Sequence, residues 1–369
     1  MKSFEYGDKE ISGLDITITM TSMIIGIGIL TLPSELAKTV NASDAWMSML
    51  AAGLLAIGIA WTITKIATNF SQQGYYAYAS AAVTKPVAFI AVFALFLHFL
   101  SYCAYEARAI SDIAKQYLFE TTPMEIISFS YLMVIVYAVS GSRAGLIRLN
   151  ILFIPIVIVV TLAVLLLSLS VFDTKELKPF FTTDWKSLAS AMKSTTFSLL
   201  GFEVILFYIT MMNCPQKAPK AVVIGVFLPV VGYTVIYLTC VGVFSQMALM
   251  EITYPVVELA KEVYIPGEFF ERLESIFFTI WIMAAFTTTV MAYDCTIYAL
   301  QSLFTKPKHK TWVFVLSPII YLMSMLPKNM SDFSKMGPII SYFGIVVSML
   351  FPMLIHIVAK LRGVKSDVS

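Results

Sequence analysis

Glu203 follows Gly201 by two residues in "SLLGFEVILFY", Ser198 to Tyr208, a stretch with no other charge. Glu106, Arg108 and Asp112 share "HFLSYCAYEARAISD", which runs from His98 to Asp112. A carboxylate in so apolar a setting is costly unless it is paired, protonated or facing water. Arg108 and Asp112 are spaced i, i+4, so one helical face can pair them. Glu106 points about 200° away from Arg108 on a helix and needs another partner, across the bundle. Such groups either glue helices together or act in gating or coupling, and Glu106, Arg108 and Glu203 are the candidates. His98 has no second histidine or carboxylate at ligand spacing, so neither a metal nor a cofactor is expected. Thr287, Thr288 and Thr289 offer hydroxyls that either bond back to their own helix or face a ligand or a sodium ion.

The backbone carries a second kind of chemistry. Gly26 and Gly28 sit near the centre of the first apolar segment, in "TSMIIGIGILTLPSEL", and Pro33 follows. Their i, i+2 spacing puts them on opposite faces, which tells against a small-xxx-small helix seam. It suits a local unwinding, as does Gly201 in the middle of the sixth segment. Backbone that leaves the helix within hydrocarbon is tolerated only where protein buries it or it lines a cavity. Breaks in corresponding spans of two halves point to a mid-membrane binding site. Gly26 and Gly201 are 175 residues apart, which pairs span one with span six. Half-helix N-termini at such breaks suit a carboxylate, and the apolar walls (Ile27, Ile29, Leu199, Leu200, Phe202) suit a small apolar side chain. The expected ligand is a small neutral amino acid.

Other functions are excluded. No HExxH, GxSxG or Walker A pattern occurs, and "GIGIL" lacks both a third glycine and a preceding strand, so no enzyme is expected. A balance of 25 Lys+Arg against 23 Asp+Glu leaves no basic footprint for nucleic acid. Four scattered cysteines show no pairing pattern.

The elements that must position these residues are membrane spans. The chain is 59% hydrophobic and 13% charged over 369 residues, against about 25% charged in soluble domains. Ten apolar stretches reach or approach the ~20 residues of a crossing: about 12–38, 45–69, 86–118, 124–140, 145–171, 187–212, 220–246, 270–303, 311–326 and 336–361. The third and eighth are long enough to tilt or protrude. The N-terminus lacks a cleavable signal pattern. Lysine and arginine number fourteen on the side of the termini and ten on the other, which places both termini in the cytoplasm. One integral membrane domain over 1–369 is expected, with halves of about 11–171 and 187–361 and extracytoplasmic loops at 172–186 and 247–269.

Six stretches, in this order and spacing, resemble one family: "GIGILTLP", "YEARAISDIAKQYLFETTP", "LKPFF", "LLGFEVILFY", "ITYPVVEL" and "ERLESIFFTIWI". They are similar to the B subunits of spore germinant receptors, within the amino acid–polyamine–organocation superfamily. The E-x-R of span three and the "ERLES" entry to span eight are the more specific parts. Tyr254 stands where the family suggests a tryptophan before Pro255. The resemblance implies an all-α, ten-helix, leucine-transporter-type fold with an inverted five-plus-five repeat and broken helices 1 and 6. It implies a sensor of a nutrient germinant in the spore inner membrane, assembled with an A subunit and a lipoprotein C subunit. Its pocket, carried over by position, would be Gly26, Ile27, Gly28, His98, Tyr102, Leu199, Leu200, Gly201, Thr287 and Thr288. The alternative is a proton- or sodium-coupled amino acid transporter of the same fold. Span five has no lysine of the kind proton-coupled superfamily members can use, though Glu106 or Glu203 could substitute.

Overall fold

The computed structural model describes residues 11–40, 42–262 and 273–364. The charged N-terminal stretch, Glu268, Arg272 and the first residues of "ERLES" lie outside the described residues.

The helices run in order as α1 (Gly13–Ile24), α2 (Gly28–Thr39), α3 (Ala45–Thr68), α4 (Tyr75–Ala82), α5 (Lys85–Tyr117), α6 (Met124–Val139), α7 (Arg143–Ser168), α8 (Trp185–Ser198) and α9 (Ile205–Tyr208). They continue as α10 (Ala218–Phe244), α11 (Gln246–Glu251), α12 (Pro255–Glu262), α13 (Leu273–Leu303), α14 (His309–Ser324), α15 (Met330–Ile345) and α16 (Phe351–Leu361). Among the described residues no strand forms; one isolated parallel bridge joins Ile11 to Met212. Six unbroken runs are long and apolar enough to cross a bilayer, and α1–α2, bent by 52°, makes a seventh. The shorter α6 and α14, and α8 continued through Phe202–Met211, complete the ten expected segments. The chain is an integral membrane protein.

Local chemistry sets the ends. Ser12 and Asp15 form a reciprocal capping box that starts α1, with the Ser12 N–H donating to Asp15 Oδ2 at 2.8 Å. Pro86 enters the first turn of α5, where its missing N–H costs nothing. Ser142 caps α7 and Asn329 caps α15 through their side-chain oxygens.

The two most extensive helix pairings are α5 with α13 and α3 with α10, that is, spans three with eight and two with seven. They frame α1, which packs on both α10 and α7. Three elements depart from expectation. The segment between spans two and three contains a short helix, α4. The described part of loop 247–269 is helical, as α11 and α12. Span ten carries one π-helical turn, Val346–Leu350, between α15 and α16.

At the end of the bundle opposite Ile11, the linker between spans five and six has no helix before α8, yet it is fastened down. The Asp44 carboxylate, at the entry to α3, accepts the backbone N–H groups of Phe181 (2.8 Å), Thr182 (2.7 Å) and Thr183 (3.2 Å), and the Thr183 hydroxyl at 3.1 Å. Trp46 meets Phe181 edge-on, with ring centroids 6.3 Å apart. Burial alone would push the Asp44 carboxyl up; the donors from Phe181, Thr182 and Thr183 outweigh it and hold it below its ordinary value. A depressed native pKa contributes stability above the unfolded value of about 3.9 and loses it as pH falls through the native one. Asp44→Ala should therefore cost about 1–3 kcal/mol in thermal unfolding at neutral pH. The difference between wild type and variant should shrink as the buffer is taken below pH ~4; a difference that stays constant would show that the charge is not what binds the linker.

Candidate functional site

The two expected breaks occur where the glycines stand, and they interlock. Span one leaves the helix between Ile24 and Gly28, and span six between Ser198 and Phe202. Gly28 lies directly on the last residue of α8: a Cβ there would be 2.8 Å from Ser198 Oγ and 3.0 Å from its Cα. Gly201 returns the contact. Its φ is +126°, open to glycine, and a Cβ would sit 2.9 Å from the Met23 carbonyl oxygen. Each break thus occupies the space that the other's missing side chain leaves.

Several polar groups released by or next to the breaks are satisfied within the protein. The Tyr233 hydroxyl donates to the Ile24 carbonyl at 2.5 Å, and the Thr288 hydroxyl to the Ser22 carbonyl at 3.0 Å. The Gly201 N–H donates to Glu203 Oε2 at 2.8 Å. The other oxygen of Glu203 accepts from His98 Nε2 at 2.9 Å, with both side chains fully buried. His98 and Glu203, which the sequence offers as unrelated candidates, are therefore one pair that ties span three to the second break. Tyr102 is one turn along from His98, with ring centroids 6.3 Å apart.

Glu106 stands at the first break. A Cβ on Gly26 would lie 3.1 Å from Glu106 Oε1 and 3.4 Å from Thr288 Cγ2, so Gly26, Glu106 and Thr288 converge at one point. The carboxylate is fully buried; the Ile27 amide and the Tyr102 hydroxyl face it, but neither oxygen accepts a hydrogen bond of good geometry. Among the described residues no cation reaches it across the bundle; the groups that face it are that amide and that hydroxyl. Arg108 is committed to Asp112 at 2.9 Å, as its spacing predicts.

Thr287 joins a different group. Ser22 donates to Asn150 Oδ1 at 2.8 Å and lies 2.9 Å from the Thr287 hydroxyl. Asn150, on span five, was missed at the sequence level, although an amide in so apolar a span is a usable signal. Leu199 and Leu200 turn toward α3 and span ten, where they line a 210 Å³ apolar crevice with Ala56 and Met349.

The two ends of the bundle differ. Opposite Ile11, a 710 Å³ vestibule lies between α2, α8 and α15, lined by hydroxyls such as Ser34, Ser194 and Ser341 and reaching Tyr105, the neighbour of Glu106. At the Ile11 end, Arg143 donates to Asp294 at 2.9 Å, Tyr208 donates to the same oxygen at 2.6 Å, and the guanidinium lies over the Tyr298 ring at 4.2 Å. The Asn213 N–H closes onto the Ile11 carbonyl at 3.1 Å. No group of three metal-ligating side chains occurs among the described residues.

Paired broken spans around a buried polar centre, framed by crossed helix pairs, define the leucine-transporter-type fold. A transporter solved with L-phenylalanine, MhsT, superposes with a TM-score of 0.70 at 16% identity over 94% of this chain and 88% of that one. Mhp1, a nucleobase–cation symporter solved closed around bromovinylhydantoin, gives 0.65 at 11% over 96% and 94%. The sequence then fixes the family. The profile described as spore germination protein matches residues 10–333. Spore germination protein GerLB of Bacillus cereus is 39% identical over 364 residues, covering 98% of this chain and 97% of the relative. The chain belongs to the spore germination protein family.

The interlock makes a direct prediction. Gly201→Ala combines a strained φ with a clash against Met23 and should cost about 1–3 kcal/mol or more in thermal unfolding. Gly58→Ala, on the exposed face of α3 with nothing within 4 Å, should be neutral or stabilising by up to about 1 kcal/mol. Equal effects would remove the case for close packing at the second break.

Proposed function

We propose that this chain is the nutrient-sensing subunit of a spore germinant receptor. It binds a small neutral amino acid at the junction of the broken spans and signals to an A subunit and a lipoprotein C subunit in the spore inner membrane, with both termini cytoplasmic. One observation carries the reading: Glu106, a fully buried carboxyl with no cation in reach among the described residues, aimed at the break. An ionised carboxyl there is costly without a counter-charge, and a ligand ammonium group supplies one. The ligand carboxylate then falls to the amides that open α2, the positive end of that half-helix. Gly26 leaves room beside Glu106 and Thr288, and the vestibule supplies the route in. The likeness to a transporter solved with L-phenylalanine supports an amino acid at this place in the fold.

Binding favours the arrangement in which the two half-helices close on the ligand, and the population shift is what partner subunits read. His98 and Glu203 link that movement to span three and to the π-helical turn beside Gly344, whose added Cβ would lie 2.5 Å from the His98 ring. The second reading, ion-coupled amino acid transport, draws on the same fold and on the Ser22–Asn150–Thr287 cluster. There, span five supplies the Asn150 amide and has no lysine.

Glu106→Gln preserves shape and removes the charge. The variant should unfold within about 1 kcal/mol of wild type, since no ion pair is broken and the side-chain volume is kept. Its thermal response to amino acids should demand at least ~30-fold more ligand, whereas the des-amino acid should show no such wild-type advantage. Unchanged amino acid affinity would overturn the assignment of Glu106. Concentrative uptake by the purified chain alone in proteoliposomes would replace sensing by transport.

A further inference from the structure

At the Ile11 end of the bundle, away from the breaks, a 660 Å³ groove runs between the last turns of α3 and α16, with α4 beneath it. Two exposed ammonium groups flank it: Lys65 in the last turn of α3 and Lys360 in the last turn of α16. No carboxylate lines the groove, and neither lysine is ion-paired among the described residues. Lys65 Nζ stands 5.2 Å from the ring centroid of Trp61, which is 46% exposed. The groove's hydroxyls are spent locally: Thr62 donates to the Gly58 carbonyl and Thr68 to that of Lys65. His356 Nδ1 is held 3.0 Å from the Tyr78 hydroxyl. The Arg362 guanidinium donates to the Val83 carbonyl at 2.8 Å, which pins α16 to α4 and fixes the groove's shape.

What is left over is positive charge on an apolar wall. Ile66, Met353 and Ile357 form that wall, and it continues into outward-facing Leu54, Leu354 and Ile357, each more than half exposed. These faces meet acyl chains in a membrane protein. A complementary ligand therefore has an anionic head at the level of the helix ends and an apolar body below it. We propose that this groove binds the headgroup of an anionic phospholipid, with Lys65 and Lys360 on its phosphate and Trp61 at the interface. Basic pockets between spans recognise anionic headgroups in this way, and each lysine near such a surface contributes about fivefold in binding. A bland role for both lysines exists, since each also complements a helix C-terminus. That role is indifferent to lipid class, so lipid class decides.

The test uses the full chain in nanodiscs of phosphatidylcholine with and without phosphatidylglycerol. Retained lipid is read by native mass spectrometry and stability by thermal shift. Wild type should retain phosphatidylglycerol and melt higher in its presence. Lys65→Gln with Lys360→Gln should weaken retention roughly 30-fold, while Lys306→Gln with Lys308→Gln, outside the groove at the same end, should leave it unchanged. Equal loss in both pairs would mean diffuse attraction and overturn the site. So would stabilisation of wild type by inorganic phosphate alone to the same extent, which would make the ligand a small anion.

Discussion

A backbone that leaves the helix inside hydrocarbon has no water to turn to. Every N–H and C=O it releases must find a partner within the protein or cost several kcal/mol. Here two spans break against one another, and the solution is mutual. Gly28 accepts the end of α8 and Gly201 accepts the end of α1, while Tyr233, Thr288 and Glu203 take up freed backbone groups. The crossed pairs α5–α13 and α3–α10 hold the partners in reach. Much of the site's composition follows from this one requirement.

The same requirement explains why two glutamates are tolerated. Glu203 is consumed by it: one oxygen caps the second break and the other holds His98, so its charge is fully employed. Glu106 faces the first break without an equivalent commitment. The asymmetry gives the junction one carboxyl that caps a break and one that does not. The ends of the bundle are equally unlike. Hydroxyl-rich space opens opposite Ile11, whereas Arg143, Asp294 and Tyr208 close the other end with a charge-assisted cluster.

Much of this was legible in the residues. Hydropathy is a local property, so the span positions follow from it, and only α4, α11, α12 and the π-helical turn in span ten escaped. The glycine breaks were legible because glycine in mid-span has few other uses at i, i+2 spacing. The Arg108–Asp112 pair was legible because i, i+4 neighbours share a helical face. Glu203 and His98 were each visible as anomalies, yet their pairing spans 105 residues and has no periodic signature. Arg143 and Asp294, 151 residues apart, likewise have no local spacing that would pair them.

By itself, the sequence determined the class of the protein, its spans, the depth of both breaks and the family resemblance. These depend on composition, local spacing and order along the chain, which survive without coordinates. The tertiary structure alone decided that the two breaks face one another, that Glu203 belongs to His98 while Glu106 is left facing the break, and that Leu199 and Leu200 turn toward span ten. Those outcomes depend on which helices cross and how closely. In a protein whose spans are all apolar, many packings satisfy the hydropathy pattern, and the packing that forms decides which distant polar groups meet, as His98 meets Glu203 and Arg143 meets Asp294.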